Sequence, residues 1–486
     1  MTRKTFWIIF ALAAACRLFA IHAAPLWYDE NFTLVLARLP FDRMIAATAG
    51  DVHPPLWYLI EWIIFHVFPA APVWTLRLPA AAFSLLALYG FDQLCQHIQL
   101  PKQTRALALG MMAFLPFQIW YAQEGRMYAM LECLVILALL FGLRRQWVAF
   151  TVVAVALPYT QNYGVIYLIV IAVVLFVEDR SQWQYIFLSG MTSALAFSPW
   201  AYVVKSQMTE IAGRYWIMDA GPGAVLNAIY KQFWASAMLE PGVITSHVLT
   251  FVVLILGTVY ILRRADHLPA RIILMMAWAP VALSWLISLT WQPILLFRPL
   301  IGISPFLYII AASAFAEVSP ENARRDLVYA ACFFAPVFMF GFAGYYINIP
   351  AMKGEGAVSS MVQALTYIRA NWQEGDVIYY ADDGPMINIM PYAGDLPQYK
   401  LPACDERTGY APVLGSLSEP TRAALGIHSA DLADVTYTRA WVFAPRSPLH
   451  PQCYEDQIAD IAPEGEQLIT VDNNEFLSSG VWLVER

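Results

Sequence analysis

Residues 54–70 read PPLWYLIEWIIFHVFPA, and whether this stretch crosses a bilayer or lies on its surface decides the topology of the whole chain. A spanning helix needs about 20 mostly apolar residues. This one is shorter, opens on two prolines and carries Glu61 and His66 among Trp and Tyr residues of the kind that favour headgroup depth. Eleven further apolar stretches surround it, at 5–24, 73–97, 104–121, 126–143, 147–160, 163–178, 184–204, 245–262, 271–291, 298–316 and 327–347. Cytoplasmic loops collect Lys and Arg. With Arg3 and Lys4 inside and 54–70 spanning, Arg144-Arg145, Arg263-Arg264-Arg271 and Arg324-Arg325 all fall outside. With 54–70 on the surface, those groups face the cytoplasm together with Lys102, Arg105 and Arg180. The expectation is about 11 transmembrane helices, a cytoplasmic N-terminus, an outer C-terminus, and interfacial helices in a first outer loop, 25–72.

Composition agrees with a membrane protein. Hydrophobic residues make up 59% of the chain and charged ones 13%, against about a quarter charged in soluble domains. The net charge of −7 and the lack of a basic surface exclude a nucleic-acid partner. The acidic excess lies mostly in the tail. From 351 the chain turns polar, with MVQALTYIRANW reading as an amphipathic helix and GDVIYYADD, TRAWVFAP and SGVWLVER as strands. We expect a membrane domain over 1–350 and a small extracytoplasmic α/β domain over 351–486. Cys404 and Cys453 lie in that domain, where an oxidising compartment would permit a disulfide without the sequence fixing their separation. No C-x-x-C pair suggests zinc or redox chemistry.

The first outer loop carries PLWYDENFTLVLARLP and then DRMIAATAGDVHPPLWY. Asp29 and Glu30 follow the first span at the membrane surface, where a carboxylate can take a proton from a hydroxyl; Asp is equally a favoured helix cap. The turn QEGR at 123–126 places Glu124 and Arg126 on the same face, as a second acidic group with a cation or as a local ion pair. Arg38, Arg43, Arg77, Lys205, Arg214, Lys231 and Arg298 run against the positive-inside trend. Such cations can answer an anion, because guanidinium grips phosphate with two parallel hydrogen bonds, or can snorkel to headgroups. His53, before the two prolines, suits either a phosphate or a helix cap.

At these residues the chain resembles a known family. WYDENFTL, DVHPPLWYLI and TLRLPAA are similar to motifs of the bacterial polytopic glycosyltransferases of the GT-C fold. These are relatives of protein O-mannosyltransferases, the lipid A aminoarabinose transferase and lipopolysaccharide galacturonosyltransferases. YAQEGRMYAML and FRPLIGISPFLYIIAA resemble later parts of the pattern, although the family has Arg-Tyr where this chain has Arg298-Pro299. The resemblance implies a polyprenyl-phosphate sugar donor and inverting transfer to a glycan, lipid or protein hydroxyl at the outer face of the bacterial inner membrane. It implies Asp29 as base, Glu30 orienting the acceptor or Asp29, Glu124 as second acid, and His53 and Arg298 near the donor phosphate. Arg126, Lys205 and Arg214 join the substrate-binding candidates by position. A divalent metal stays open, since no ligand spacing commits to one. The rival reading is a transporter or flippase of a lipid-linked substrate, which should carry charge at mid-membrane, where Glu132 is the main acid. The Asp-Asp-Gly at 382–384 could be a cation site, though it more often makes a turn.

Overall fold

Proline and short polar breaks divide the chain into helices before it turns to strands. The structure, a computed structural model, describes residues 2–211, 217, 221–235, 242–263, 268–315, 355–402, 417–446, 467–471 and 478–485. Helix α1 (Arg3–Leu18) starts where the Thr2 hydroxyl accepts the Thr5 amide. It is followed by α2 (Tyr28–Arg38), α3 (Phe41–Gly50), α4 (Leu56–Val67), α5 (Leu78–His97), α6 (Lys102–Phe114) and α7 (Pro116–Ala122). Next come α8 (Tyr128–Leu143), α9 (Trp147–Thr160), α10 (Tyr163–Glu178), α11 (Trp183–Ile211), α12 (Pro222–Trp234), α13 (Gly242–Leu262), α14 (Leu268–Thr290) and α15 (Ser304–Ser313). The tail adds α16 (Glu355–Ala370), β1 (Asp376–Tyr380), α17 (Asp383–Ile389), β2 (Gln398–Lys400), α18 (Glu419–Leu425), β3 (Arg439–Arg446), β4 (Gln467–Val471) and β5 (Ser478–Glu485).

Among the described residues, Val73–His97, Arg180–Thr209 and Pro269–Thr290 are long and apolar enough to cross a membrane by length and composition. Leu56–Val67, Tyr128–Leu143, Trp147–Thr160, Tyr163–Glu178, Ser246–Leu262 and Pro299–Ser313 are shorter apolar helical segments. The stretch 327–347 lies outside the described residues, as do Arg214, Cys404 and Cys453.

The chain divides into two compact units, one of Met1–Ile21, Arg77–Ala201 and Ile217–Asn348, the other of His22–Leu76, Tyr202–Trp216 and Ile349–Arg486. In the first, the apolar stretch 104–121 is not one helix. Pro116 cannot donate to the preceding turn and pushes Leu115 into an extended conformation (ψ 143°), so α6 stops and α7 begins. The broken end exposes carbonyls inside the protein. Arg17, fully buried on α1, answers them: its guanidinium donates to the carbonyls of Met112 at 2.9 Å and Ala113 at 2.7 Å, to Ala13 at 3.2 Å and to Ser84 Oγ at 2.9 Å. Arg77 is also buried and donates to the Ile21 carbonyl at 2.8 Å.

In the second unit the tail forms a five-stranded sheet in the order β2-β1-β3-β5-β4, with β1 parallel to both neighbours and the β3-β5 and β5-β4 pairs antiparallel. Val377, Tyr379, Leu401, Ala440, Val442 and Trp482 pack a core against it. Arg439 grips Asp376 with two bonds of 2.9 and 2.7 Å, and Trp441 adds a third at 3.0 Å, which registers β1 on β3. The helix and strands read from the sequence are present, and the Asp-Asp-Gly is the start of a helix: Asp382 caps α17 through a 2.7 Å bond to the Asp383 amide.

The first loop packs on this tail. Asn31 on α2 donates to Asn388 on α17 at 3.1 Å, and the Tyr392 hydroxyl donates to Asn31 at 3.3 Å. Ser418 and Thr421, at the start of α18, donate to the Gly50 and Ala47 carbonyls of α3 at 2.7 and 3.2 Å. Arg38 and Arg43, two of the cations set against the positive-inside trend, donate to the carbonyls of Pro391 and Ala424 at 3.2 and 2.8 Å. They dock loop to tail.

Within 54–70 the helix is α4, 12 residues long; at about 1.5 Å per residue it is too short for a hydrocarbon core of about 30 Å. It lies along α2 and buries Trp57, Tyr58, Glu61 and Phe65. Glu61 is fully buried, and neither carboxyl oxygen has a hydrogen-bond partner. Burial first, and the nearby Glu30 carboxylate second, hold it well above the usual glutamate range. A carboxyl raised in this way contributes its stability below its unfolded pKa and loses it as pH rises towards the folded value. Glu61→Gln, which mimics the neutral acid, is therefore expected to raise the melting temperature near pH 8 and to change it little near pH 4.5. Equal shifts at both pH values would show that Glu61 is not held neutral.

Candidate active site

The second unit gathers acids around Tyr28. The first turn of α2 carries Tyr28, Asp29 and Glu30, and these separate by exposure. Glu30 is fully buried and accepts the Trp27 amide at 3.4 Å, which makes it the cap of its own helix. Asn31 is buried too, donating to the Leu26 carbonyl at 2.8 Å besides its bond to the tail. Asp29 stays half-buried, with its backbone carbonyl taken by the Thr33 hydroxyl at 2.8 Å. The capping role open to either acid in the sequence thus falls to Glu30 and leaves Asp29 accessible.

Asp51, just after α3, holds the ring of His53: Nδ1 and Asp51 Oδ2 are 3.1 Å apart. His53 does not cap α4, whose N-cap is Pro55 with no side-chain bond. From the tail, Asp383 accepts the Leu417 amide at 2.9 Å, and Ser418 next to Leu417 bonds Gly50 next to Asp51. Lys400 and Arg422 each approach Asp383 to 3.9 Å. All of these carboxylates act on one phenol. Burial first, then Asp383, Asp382, Asp29 and Asp51, push Tyr28 well above its usual range. Burial and the Asp383 carboxylate push Asp382 up to about 6. Tyr28 therefore keeps its proton and can donate a hydrogen bond, while Asp29 can accept one.

The first unit holds the other candidates. Gln123 donates to the carbonyls of Cys16, Arg17 and Phe19 at 3.1, 3.1 and 2.7 Å and so fastens the QEGR turn to the end of α1. Glu124, buried, accepts the Trp120 indole at 2.6 Å, and Arg126 is buried beside it in the same turn. Arg298 is half-buried immediately before the 3₁₀ turn Pro299–Ile303, its guanidinium 5.8 Å from the centre of the Phe297 ring. Lys231, in the last turn of α12, stands 4.3 Å from the same ring centre. Burial, and then repulsion from Arg298, hold Lys231 below the usual lysine range.

No protein-family model matches the sequence, and no curated protein matches it. Solved structures do. ArnT from Cupriavidus metallidurans in the apo state is similar at a TM-score of 0.62 and 15% identity, over 99% of this chain and 98% of that one. The same protein bound to undecaprenyl phosphate is similar at 0.61 and 13%, over the same shares of 99% and 98%. The oligosaccharyltransferase AglB from Archaeoglobus fulgidus, in complex with an inhibitory peptide and a dolichol-phosphate, is similar at 0.52 and 12%, over 90% of this chain and 69% of that one. The chain has the GT-C fold. It is an α-helical, membrane-embedded protein with a small sheet, and at 12 to 15% identity what it shares with these structures is that fold.

Within the GT-C fold the predicted residues fare unequally. Asp29 and Asp51, the partner of His53, both act electrostatically on Tyr28, and Arg298 has Lys231 beside it. Glu30 lies beside Glu61 in the α2–α4 packing. Lys205 is exposed on α11, which continues past the expected end at 204 to Ile211, and Gln207 two residues on ties that end to α3 through the Thr48 carbonyl at 3.1 Å. The sequence assigns no role to Asp51 or Tyr28, although Asp51 carries a signal in its spacing from His53, and it marks Asp382 and Asp383 only as a turn or a cation site. Among the described residues no group of three His, Cys, Asp or Glu side chains is arranged to hold a metal ion.

Proposed function

We propose that this chain is a glycosyltransferase that moves a sugar from a polyprenyl-phosphate donor to a hydroxyl acceptor, with inversion, at the outer face of a bacterial inner membrane. In this reading the N-terminus is cytoplasmic and the residues after 350 are outside. Asp29 takes the acceptor proton as the hydroxyl oxygen attacks the anomeric carbon from the side opposite the leaving phosphate. The bond to the phosphate oxygen breaks, and a phosphodiester leaves as a phosphomonoester. Negative charge grows on that phosphate, so cations aimed at it stabilise the transition state more than the ground state. Arg298 fills this role, with His53, Arg126, Lys205 and Arg214 as further substrate-binding candidates and Glu124 as second acid.

One observation carries the reading: in the Tyr-Asp-Glu-Asn turn Glu30 and Asn31 are fully buried, whereas Asp29 is only half-buried, so a hydroxyl from outside can reach it. The GT-C likeness supports it, since one similar structure is bound to undecaprenyl phosphate. Against the flippase reading, Glu132 is buried and bonded by Gln118 at 2.7 Å, which makes it a packing partner between α7 and α8. Arg298→Ala is expected to lower kcat/KM for the lipid donor at least tenfold, the order of a charge-assisted hydrogen bond, with kcat falling because the charge it meets grows in the transition state. An unchanged kcat/KM in folded protein would remove the phosphate role. Mass spectrometry of surface glycans with and without the chain tests the activity itself: the loss of one sugar residue from a defined glycan is expected, and identical spectra would count against transfer.

A further inference from the structure

Lys231 and Arg298 share one aromatic ring, and two like charges brought this close repel unless their backbones are held. Gln232, which follows Lys231, is fully buried. Its Nε2 donates to the Phe297 carbonyl at 2.8 Å and to Ala228 at 3.1 Å. Its Oε1 accepts the Ser304 hydroxyl at 2.6 Å. Its own carbonyl accepts the Tyr308 hydroxyl at 2.5 Å, and Tyr308 accepts Gln118 at 3.5 Å, the amide that also donates to Glu132. One side chain thus ties the residue after Lys231 to the residue before Arg298; Ser304 holds that side chain, and a buried polar string running back to Glu132 on α8 holds the Gln232 backbone carbonyl. Both amide hydrogens and the amide oxygen are used.

We propose that Gln232 is a positioning residue for a phosphate clamp, fixing Lys231 and Arg298 so that they meet the phosphate of a polyprenyl phosphate together. This rests on the donor reading above. Gln232 touches no substrate. Its effect is preorganisation: the cost of holding two cations side by side is met on folding rather than on binding. A monoester phosphate carries about −1.5 to −2 charges at pH 7, whereas a diester has a single ionised oxygen and carries about −1, so a two-cation clamp favours the leaving group over the bound donor.

The test uses the full chain in lipid nanodiscs and two probes, undecaprenyl phosphate and a dialkyl phosphate diester. Wild type is expected to bind the monoester more tightly. Gln232→Leu should weaken monoester binding about tenfold and reduce the monoester-to-diester preference, and Ser304→Ala should do the same to a smaller degree. A merely structural role would weaken both probes equally. If Gln232→Leu does not fold, Ser304→Ala decides by the same ratio. Should wild type bind neither probe, the donor reading fails. Should wild type bind and Arg298→Ala weaken binding while the folded Gln232 or Ser304 variant keeps the wild-type ratio, the positioning role alone is overturned.

Discussion

Asp29→Asn is expected to lower sugar transfer about a thousandfold while leaving expression and melting temperature close to wild type. A positioned general base is worth about 10² to 10⁴ in rate, so the loss corresponds to roughly 4 kcal/mol of transition-state stabilisation. The structural cost should be small, because Asp29 is half-buried and its side chain is not the cap of α2; that is Glu30. Glu30→Ala makes the contrast. It removes the cap of α2, so its loss of activity should follow a loss of stability. Transfer is measured in membranes supplied with a polyprenyl-phosphate sugar, with undecaprenyl phosphate binding as control. Full transfer by Asp29→Asn would remove the base assignment, whatever the acceptor.

Arg17→Met should be the most destabilising single change in the first unit. The guanidinium is fully buried and satisfies the carbonyls of Met112 and Ala113 where Pro116 breaks the helix, plus Ala13 and Ser84. Hydrogen bonds from a charged group contribute about 1.5 to 3 kcal/mol each, and stranding a buried acceptor costs about 1 to 3 kcal/mol. These terms are not additive; the expected loss is about 3 kcal/mol, roughly 5 °C in melting temperature for a unit of this size. Arg17→Lys keeps the charge but cannot reach all four acceptors, so it should fall between. Thermal unfolding in detergent measures the series. A wild-type melting temperature in Arg17→Met would mean that the carbonyls at the break find other partners.

How much of this was legible depended on the range of the interaction concerned. The strands at Asp376–Tyr380, Arg439–Arg446 and Ser478–Glu485 and the helix at Glu355–Ala370 follow local apolar periodicity, and the sequence showed them. The break at 115–116 was equally local and was there to be read in Leu-Pro, but mean hydropathy over the stretch hid it. The cations were read only as charges in unexpected places. Nothing near Arg38 or Arg43 in sequence reveals that their partners are the carbonyls of Pro391 and Ala424, more than 350 residues away. The same holds for Tyr28, whose acidic neighbours come from the first loop and from the tail.

The length of 54–70, its prolines and the cation pattern of the other loops make an interfacial helix the expectation from sequence, because the choice between water, interface and hydrocarbon is a sum over local composition; the structure gives the stretch a 12-residue helix packed along α2. The sequence alone likewise settled that the chain is a helical membrane protein, and it put Asp29 among the candidates. Only the tertiary structure decided that Glu30 caps α2 while Asp29 stays half-buried, that Asp51 holds His53, and that Gln232 ties Lys231 to Arg298. Hydrogen bonds and charge pairs act over a few ångströms, and which polar groups come that close is set by packing between segments distant in sequence.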